Sequence, residues 1–348
     1  MNALQTDLRY PADVLARWAT DILATQGVGA EAATLTAQAL VRTSLRGIDT
    51  HGISRLPGYV DKLRTGEVQP RALPRFGLHA GLLECDGAGT FGQVAASHAV
   101  HRAMEEARAS AVVACRLHSM GHLGALGTLI LPAAEQGFMA VLCQRTPPIM
   151  AMPGASGPVM GNNPMAFVVP VPGRPPLVFD MAHSVVARGR VAEAQREGLL
   201  SIPDRWALGP DGAPTTDPVA ALRGTMQPIA GHKGMGLAML VECLAGCLNG
   251  SLTERDSVSA GVMGSPSNVS AFLLVIHPAL AIGQATFDAS VTAWVESFLS
   301  ASAHGARYPG QRQAHCETER LRSGIPVAPG VLTALQALGT QCALPFID

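Results

Sequence analysis

The segment RGIDTHGISRLPGY, from Arg46 to Tyr59, gathers a histidine, an arginine and a tyrosine in one short polar stretch. His51 and Arg55 are four apart, so on a helix they share one face. An imidazole that moves a proton near neutral pH, beside a guanidinium that forks onto a carboxylate, suits chemistry on a small organic acid. A helix end with surface charges would use the same residues. A second segment, HSMGHLGALG from His118 to Gly127, follows the strand-like AVVAC and enters a helical pattern. Such a junction offers free backbone N–H groups to an anion or an electron-rich ligand. His118 and His122 have a spacing that zinc sites use. The glutamate of HExxH is missing, however, and no third ligand lies at short spacing, so no metal is expected. The alternative to a catalytic histidine here is a structural one that caps the helix. A third segment, AGHKGMGLAM from Ala230 to Met239, sets His232 and Lys233 between glycines at the start of an apolar helix. A lysine opposes the dipole at a helix N-terminus, and a bound nucleotide phosphate explains it more simply.

GAGTFG, Gly87 to Gly92, fits the G-x-G-x-x-G dinucleotide fingerprint and stands between the strand-like GLLEC and a helical pattern. The fingerprint also requires an acidic residue after the next strand, to hold the ribose. AVVAC runs instead into Arg116, Leu117 and His118. A glycine-rich turn that holds no cofactor is the better reading.

These segments need positioning elements. Apolar residues recur at three and four from Pro11 to about Leu45, with a break at Gly27-Val28-Gly29, which predicts a helical hairpin. A third helix spans Leu56 to Leu63 and stops at Gly66. Beyond it, GLLEC (81–85), AVVAC (111–115), FMAVLC (138–143), MAFVVPV (165–171), PLVFDM (176–181) and AFLLVIH (271–277) read as strands. They alternate with helical patterns at Ala95–Ala109 and Gly124–Gln136, an α/β texture. Residues 146–164 and 203–218, rich in Pro and Gly, read as long surface loops. Gly231 to Leu248, residues 285–303 and Val327 to Leu338 read as helices, and there is no internal repeat.

Apolar residues make up 48% of the 348 and charged residues 15%, ample for a core. A net charge of −1 gives no reason to expect nucleic acid or a membrane surface as a partner. The seven cysteines are odd in number and never spaced CxxC, which argues for a reducing cytosol. Cys243 and Cys247, a helical turn apart in an apolar run, are expected to be buried thiols. No basic-then-apolar leader and no run of transmembrane length is visible, so the expectation is a soluble cytoplasmic protein.

RGIDTHGISRLPGYV, MGHLGALG, GNNPMAF, DMAHSVVARG, WALGPDGAPTTDP and GHKGMGLAMLVE occur in that order. Together they resemble the malate/L-lactate dehydrogenase family that is distinct from the Rossmann-fold enzymes. That family also includes ureidoglycolate, sulfolactate and diketogulonate enzymes and a piperideine-2-carboxylate reductase. The resemblance runs from the first helix to about Val327. It implies an α/β, mixed-sheet, non-Rossmann domain that binds NAD or NADP, and a helical domain built from both chain ends. The expected division is 1–70 with 310–348 for the helical, dimerising part and 71–309 for the cofactor domain. The family's proton-donating histidine corresponds to His122, its Ser/Thr-His pair to Thr50 and His51, its carboxylate-binding arginine to Arg55, and a pocket tyrosine to Tyr59. Cofactor contacts fall on Thr146, on Asp180, Met181 and Ala182, on His232 and Lys233, and on Pro309 and Gly310. Without the resemblance, Asp180 and Thr146 read as turn residues. Two departures stand out: Gly161–Pro164 reads Gly-Asn-Asn-Pro where relatives have Gly-Thr-Asn-Pro, and Gln311 replaces an acidic residue.

The resulting expectation is an NAD(P)-dependent oxidoreductase that moves a hydride to or from the α-carbon of a 2-hydroxy/2-oxo acid. Arg55 would anchor the carboxylate, and His122 would carry the proton with a pKa near 7. The alternatives are reduction of a cyclic imino acid and, in another class, a non-catalytic nucleotide-binding protein. A homodimer with its cleft near the interface is expected, because the small helical lobe would close better against a second subunit.

Overall fold

The computed structural model describes residues 8–155, 157–250, 269–301 and 305–347. From the N-terminus the chain runs β1 (Leu8–Tyr10), α1 (Ala12–Thr25), α2 (Ala30–Leu45), α3 (Leu56–Arg64), β2 (Arg75–His79) and β3 (Leu82–Asp86). Then come α4 (Gly92–Ser110), β4 (Val112–Met120), α5 (Leu126–Glu135), β5 (Met139–Gln144), β6 (Pro148–Met150) and β7 (Met160–Gly161). The middle holds β8 (Met165–Val169), β9 (Leu177–Met181), α6 (Arg188–Arg196), β10 (Ala207–Leu208), β11 (Pro214–Thr215), α7 (Pro218–Arg223), β12 (Thr225–Met226) and α8 (His232–Val241). Next follow β13 (Val269–Ile276), α9 (Pro278–Ile282), α10 (Gln284–Ser300), α11 (Gln311–Ser323), β14 (Ile325–Val327) and α12 (Pro329–Gln341).

The main sheet has seven strands in the order β2-β3-β4-β13-β5-β8-β9. Only the β3–β4 pair is parallel, so the sheet is mixed and not doubly wound. β13, the most apolar run, lies at its centre. Its Ala271, Leu273 and Val275 share a core with Cys85, Cys115, Leu117 and Leu142, under α4 and α5. α4 presents Ala95, Ala96, Ala99, Ala103 and Ala107 to that core, small side chains that bring the helix close to the sheet. The two stretches expected to be loops contribute instead to a second, five-stranded sheet, β11-β10-β12-β6-β7. Its strands are only two or three residues long, because the prolines and glycines between them interrupt every longer run.

The predicted helical hairpin is α1 and α2, and the far end of the chain returns to it. β1 pairs antiparallel with β14, Leu8 opposite Val327. Leu335, Leu338 and Phe346 join Leu15, Trp18, Ile22 and Leu40 in one core. Phe346 packs edge-on against Trp18, with centroids 4.7 Å apart.

Cys243 and Cys247 are exposed, contrary to expectation. α8 buries Gly234, Met235, Ala238 and Val241, then widens into a π turn over Glu242–Gly246. The opposite face, with Leu237, Leu240 and both thiols, points outward. The run is apolar on both sides, and apolar content alone could not say which side is buried.

The Gly87–Gly92 turn is occupied by the protein itself. Gly87 N–H donates to His118 O (2.9 Å), Gly89 N–H to Ser119 O (2.6 Å), and Gly121 N–H to Thr90 O (2.8 Å). A Cβ on Gly92 would stand 2.3 Å from Gly121 O. These glycines admit a second backbone, the one that carries His122. Gly92→Ala should therefore destabilise the chain by ~1–3 kcal/mol through overpacking. Urea unfolding checks this, and an unchanged midpoint would contradict the close contact.

Candidate functional site

The end of α2 fixes the His51 segment. Ser44 Oγ accepts the N–H of Ile53 at 2.9 Å. A Cβ on Gly52 would lie 2.0 Å from that oxygen, so only glycine lets the segment lie this close. Gly52 also breaks the helix on which His51 and Arg55 were expected to share a face. The chain makes two single 3-10 turns, Asp49–His51 and Ile53–Arg55. Arg55 Nε donates to the Thr50 carbonyl (2.8 Å), and Thr50 Oγ1 lies 3.0 Å from His51 Nδ1. Arg55 is exposed, and its guanidinium meets no carboxylate among the described residues. Arg320 of α11 grips the segment from behind, bonding Asp49 Oδ1 and Oδ2 at 2.5 and 3.1 Å.

His122 lies in the extended link between β4 and α5, the strand-to-helix junction that the sequence led one to expect. Its ring centroid is 6.1 Å from that of His51. Tyr59, buried on α3, brings its hydroxyl to 3.3 Å from His122 Nδ1. Two buried glutamines absent from the sequence reading hold this link in place. Gln93 Nε2 donates to Tyr59 OH (2.7 Å) and to Leu123 O (3.1 Å), while Gln144 Oε1 accepts the Leu123 N–H (3.3 Å). Their one signal in the sequence is an amide placed among apolar neighbours, at the first turn of α4 and the end of β5.

His118 is not part of this group. It sits on β4 with Nε2 2.9 Å from Glu84 and Nδ1 2.9 Å from Ser119 Oγ, in an ion-pair cluster with Arg116. Among the described residues no group of three His, Cys, Asp or Glu side chains is placed to hold a metal.

The electrostatics of the pocket are one-sided. Burial pushes His122 down to about 3, helped by His51, Arg55 and Lys62. Burial and Arg55 lower His51 as well. Burial raises Tyr59 to about 12. In the free protein His122 therefore stands well below the near-neutral value expected for it, beside the cations Arg55 and Lys62.

A second strip joins the remaining predicted residues. Asp180 Oδ2 accepts the Gly127 N–H (2.8 Å), which ties β9 to the start of α5 just beyond His122. The carboxyl is exposed yet ringed by protein, and that enclosure pushes it up to about 6. His183 N–H donates to Asn162 O, and Ile229 N–H to His183 O. These bonds link Met181 and Ala182 to the loop that opens α8 with His232 and Lys233, both exposed. Thr146 is tied to the same loop system: its Oγ1 donates to Asn162 Oδ1 (2.8 Å), and its N–H to Asn163 Oδ1 (2.9 Å). Pro309 O accepts the Val178 N–H (2.9 Å), and Gln311 caps the N–H of Tyr308 (3.0 Å). The strip suits a nicotinamide nucleotide. The open first turn of α8 and Lys233 favour phosphate, and Asp180 and Thr146 offer partners to hydroxyl or amide groups.

A family model described as malate/L-lactate dehydrogenase matches residues 10–336. The chain belongs to this family and is an oxidoreductase of its NAD(P)-dependent kind. A Delta(1)-pyrroline-2-carboxylate reductase of Ancylobacter novellus is 36% identical over 325 residues, covering 92% of this chain and 94% of that protein. A (2R)-3-sulfolactate dehydrogenase (NADP(+)) of Chromohalobacter salexigens is 34% identical, over 89% of this chain and 92% of its own. Among solved structures, the delta1-piperideine-2-carboxylate reductase of Pseudomonas syringae superposes with a TM-score of 0.85 at 30% identity, covering 95% and 99% of the two chains.

His122 makes acid sensitivity measurable. Its folded value lies below the ordinary 6.5, so between about 3 and 6.5 the folded state holds fewer protons than the unfolded one. The stabilisation it gives is complete above 6.5 and is lost as pH falls towards 3. His122→Gln should flatten the loss of urea stability between about pH 7 and about pH 5. Equal losses in variant and wild type would show that the ring is not held neutral.

Proposed function

We propose that the protein transfers a hydride between a nicotinamide cofactor and the α-carbon of a small 2-hydroxy or 2-oxo acid. The observation that carries this reading is the convergence of His122, His51, Tyr59 and Arg55, whose guanidinium meets no carboxylate among the described residues. Arg55 takes the substrate carboxylate in a two-pronged bond, which fixes the adjacent carbon. The bound negative charge offsets Arg55 and raises His122 from its depressed value towards the range useful for proton transfer. His122 then gives a proton to the carbonyl oxygen in reduction and takes it back in oxidation. Thr50 and His51 orient the substrate or the nicotinamide amide. Bound nicotinamide supplies or removes the hydride. Thr146, Asp180, Met181, Ala182, His232, Lys233, Pro309 and Gly310 are the residues read as holding the nucleotide. On this reading the helical part (1–70 and 310–348) holds the acid and the rest holds the cofactor.

A second substrate class shares the carboxylate anchor: a cyclic imino acid reduced at C=N. The 36% identity to a pyrroline-2-carboxylate reductase favours keeping it beside the first. NAD and NADP are both compatible with the strip at Asp180 and Lys233, and the NADP(+)-using sulfolactate relative favours NADP. The working unit is read as a homodimer. Support comes from α8, whose outward face carries Leu237, Met239 and Leu240 at 43–51% exposure next to Lys233. Seven unpaired cysteines support a reducing cytosolic setting.

The deciding experiment is a panel of 2-oxo acids and cyclic imino acids with NADH and NADPH, followed at the nicotinamide absorbance. No oxidation of either cofactor with any member would sink the reading. Within it, His122→Ala should lower turnover roughly 10²–10⁴-fold with cofactor affinity retained. Arg55→Lys keeps the charge but loses the planar fork, so the KM for the acid should rise roughly tenfold. An unchanged KM would place the carboxylate elsewhere.

A further inference from the structure

The hydrogen bonds behind His122 run in one direction. The Leu123 carbonyl only accepts, so the Gln93 atom 3.1 Å from it is the amide NH2. The same nitrogen lies 2.7 Å from the Tyr59 oxygen, which therefore accepts from it. Gln93 is 2% exposed, and Gly124 leaves the amide its place, since a Cβ there would stand 3.3 Å from that nitrogen. With Gln93 donating to the phenol oxygen, the Tyr59 O–H turns to its other neighbour, His122 Nδ1 at 3.3 Å. Burial keeps this phenol protonated far above neutral pH. A neutral imidazole that accepts at Nδ1 carries its proton on Nε2.

We propose that Gln93 is a positioning residue that sets the tautomer of His122: acting through the Tyr59 hydroxyl, it keeps the ring proton on Nε2, the nitrogen left to meet the substrate. This rests on the reading of His122 as the group that meets the substrate heteroatom, and it gives that reading a direction. The resting site presents a hydrogen-bond donor to a C=O or C=N group, and for reduction the ring need only take a proton from solvent at Nδ1, so that giving up the Nε2 proton leaves a neutral imidazole. Oxidation requires the opposite tautomer, with Nδ1–H donating to Tyr59 and Nε2 free to accept a hydroxyl proton. The Gln93–Tyr59 pair opposes that rearrangement.

The test is long-range proton–nitrogen NMR on the full-length protein labelled with 15N-histidine, at about pH 8. The His122 signals are assigned by their loss in His122→Gln. The wild type should show a protonated Nε2 and a bare Nδ1. In Gln93→Glu the carboxylate can only accept, so it should draw the Tyr59 O–H to itself and move the ring proton to Nδ1. The same variant should lower kcat for reduction roughly five- to tenfold, the worth of one neutral hydrogen bond, with the KM for the acid within about twofold. Tyr59→Phe keeps the packed ring and should cancel the effect of Gln93→Glu on kcat. An Nδ1-protonated ring in the wild type overturns the proposal by itself, as does an unchanged tautomer in Gln93→Glu. The spectra need no substrate, so a protein inert on the acid panel would sink the proposed function without touching this measurement.

Discussion

One stretch of backbone, residues 118 to 123, carries the geometry of the whole site. It is held from one side by the glycine turn at 87–90, through Gly87, Gly89 and Gly121, and from the other by Gln93 and Gln144 on the two polar groups of Leu123. Neither grip is optional. A side chain on Gly92 would enter the Gly121 carbonyl, and losing either amide would strand a buried peptide group. The main sheet, through β4 and β5, and α4 act as the rigid mount for one extended link.

Against this mount the helical lobe brings a complementary charge. Arg55 is the cation, while both histidines are pushed towards neutrality by burial and by Arg55 itself. A site of this kind is poorly set for a neutral ligand and well set for a small anion, whose arrival offsets the positive charge that adds to burial in lowering His122. On the proposed reading, binding and proton transfer are thereby coupled, because Arg55, read as the acid's anchor, also acts electrostatically on the ring read as the proton carrier.

Much of this was legible in the chain. The helical hairpin, the strands and the His51, Arg55, Tyr59 and His122 cluster followed from periodicity and from ordered motifs. What escaped has physical causes. The shared helical face of His51 and Arg55 failed at Gly52, where close contact with Ser44 outweighs helix continuation. The strand was read as ending at Cys115, short of His118, because the length of β4 depends on pairing with β13, a partner far along the chain. The small sheet was hidden because strands of two or three residues leave no alternation to read. The exposed thiols of the segment after α8 were misplaced because an all-round apolar helix does not announce its buried side. Gln93 and Gln144 were invisible because their importance lies in what crosses the fold to meet them.

The pairing of β1 with β14 bears on how the protein is made. Leu8 waits opposite Val327, and the lobe that bears Arg55 shares its core with Leu335, Leu338 and Phe346. On a ribosome, the sheet and its two helices can assemble while this lobe stays open, since its closing strand emerges after them. Contacts of such sequence separation form late and slowly. The arginine-bearing lobe thus consolidates after the sheet, and a nascent chain holds the strand of Asp180 well before Arg55 has its final surroundings.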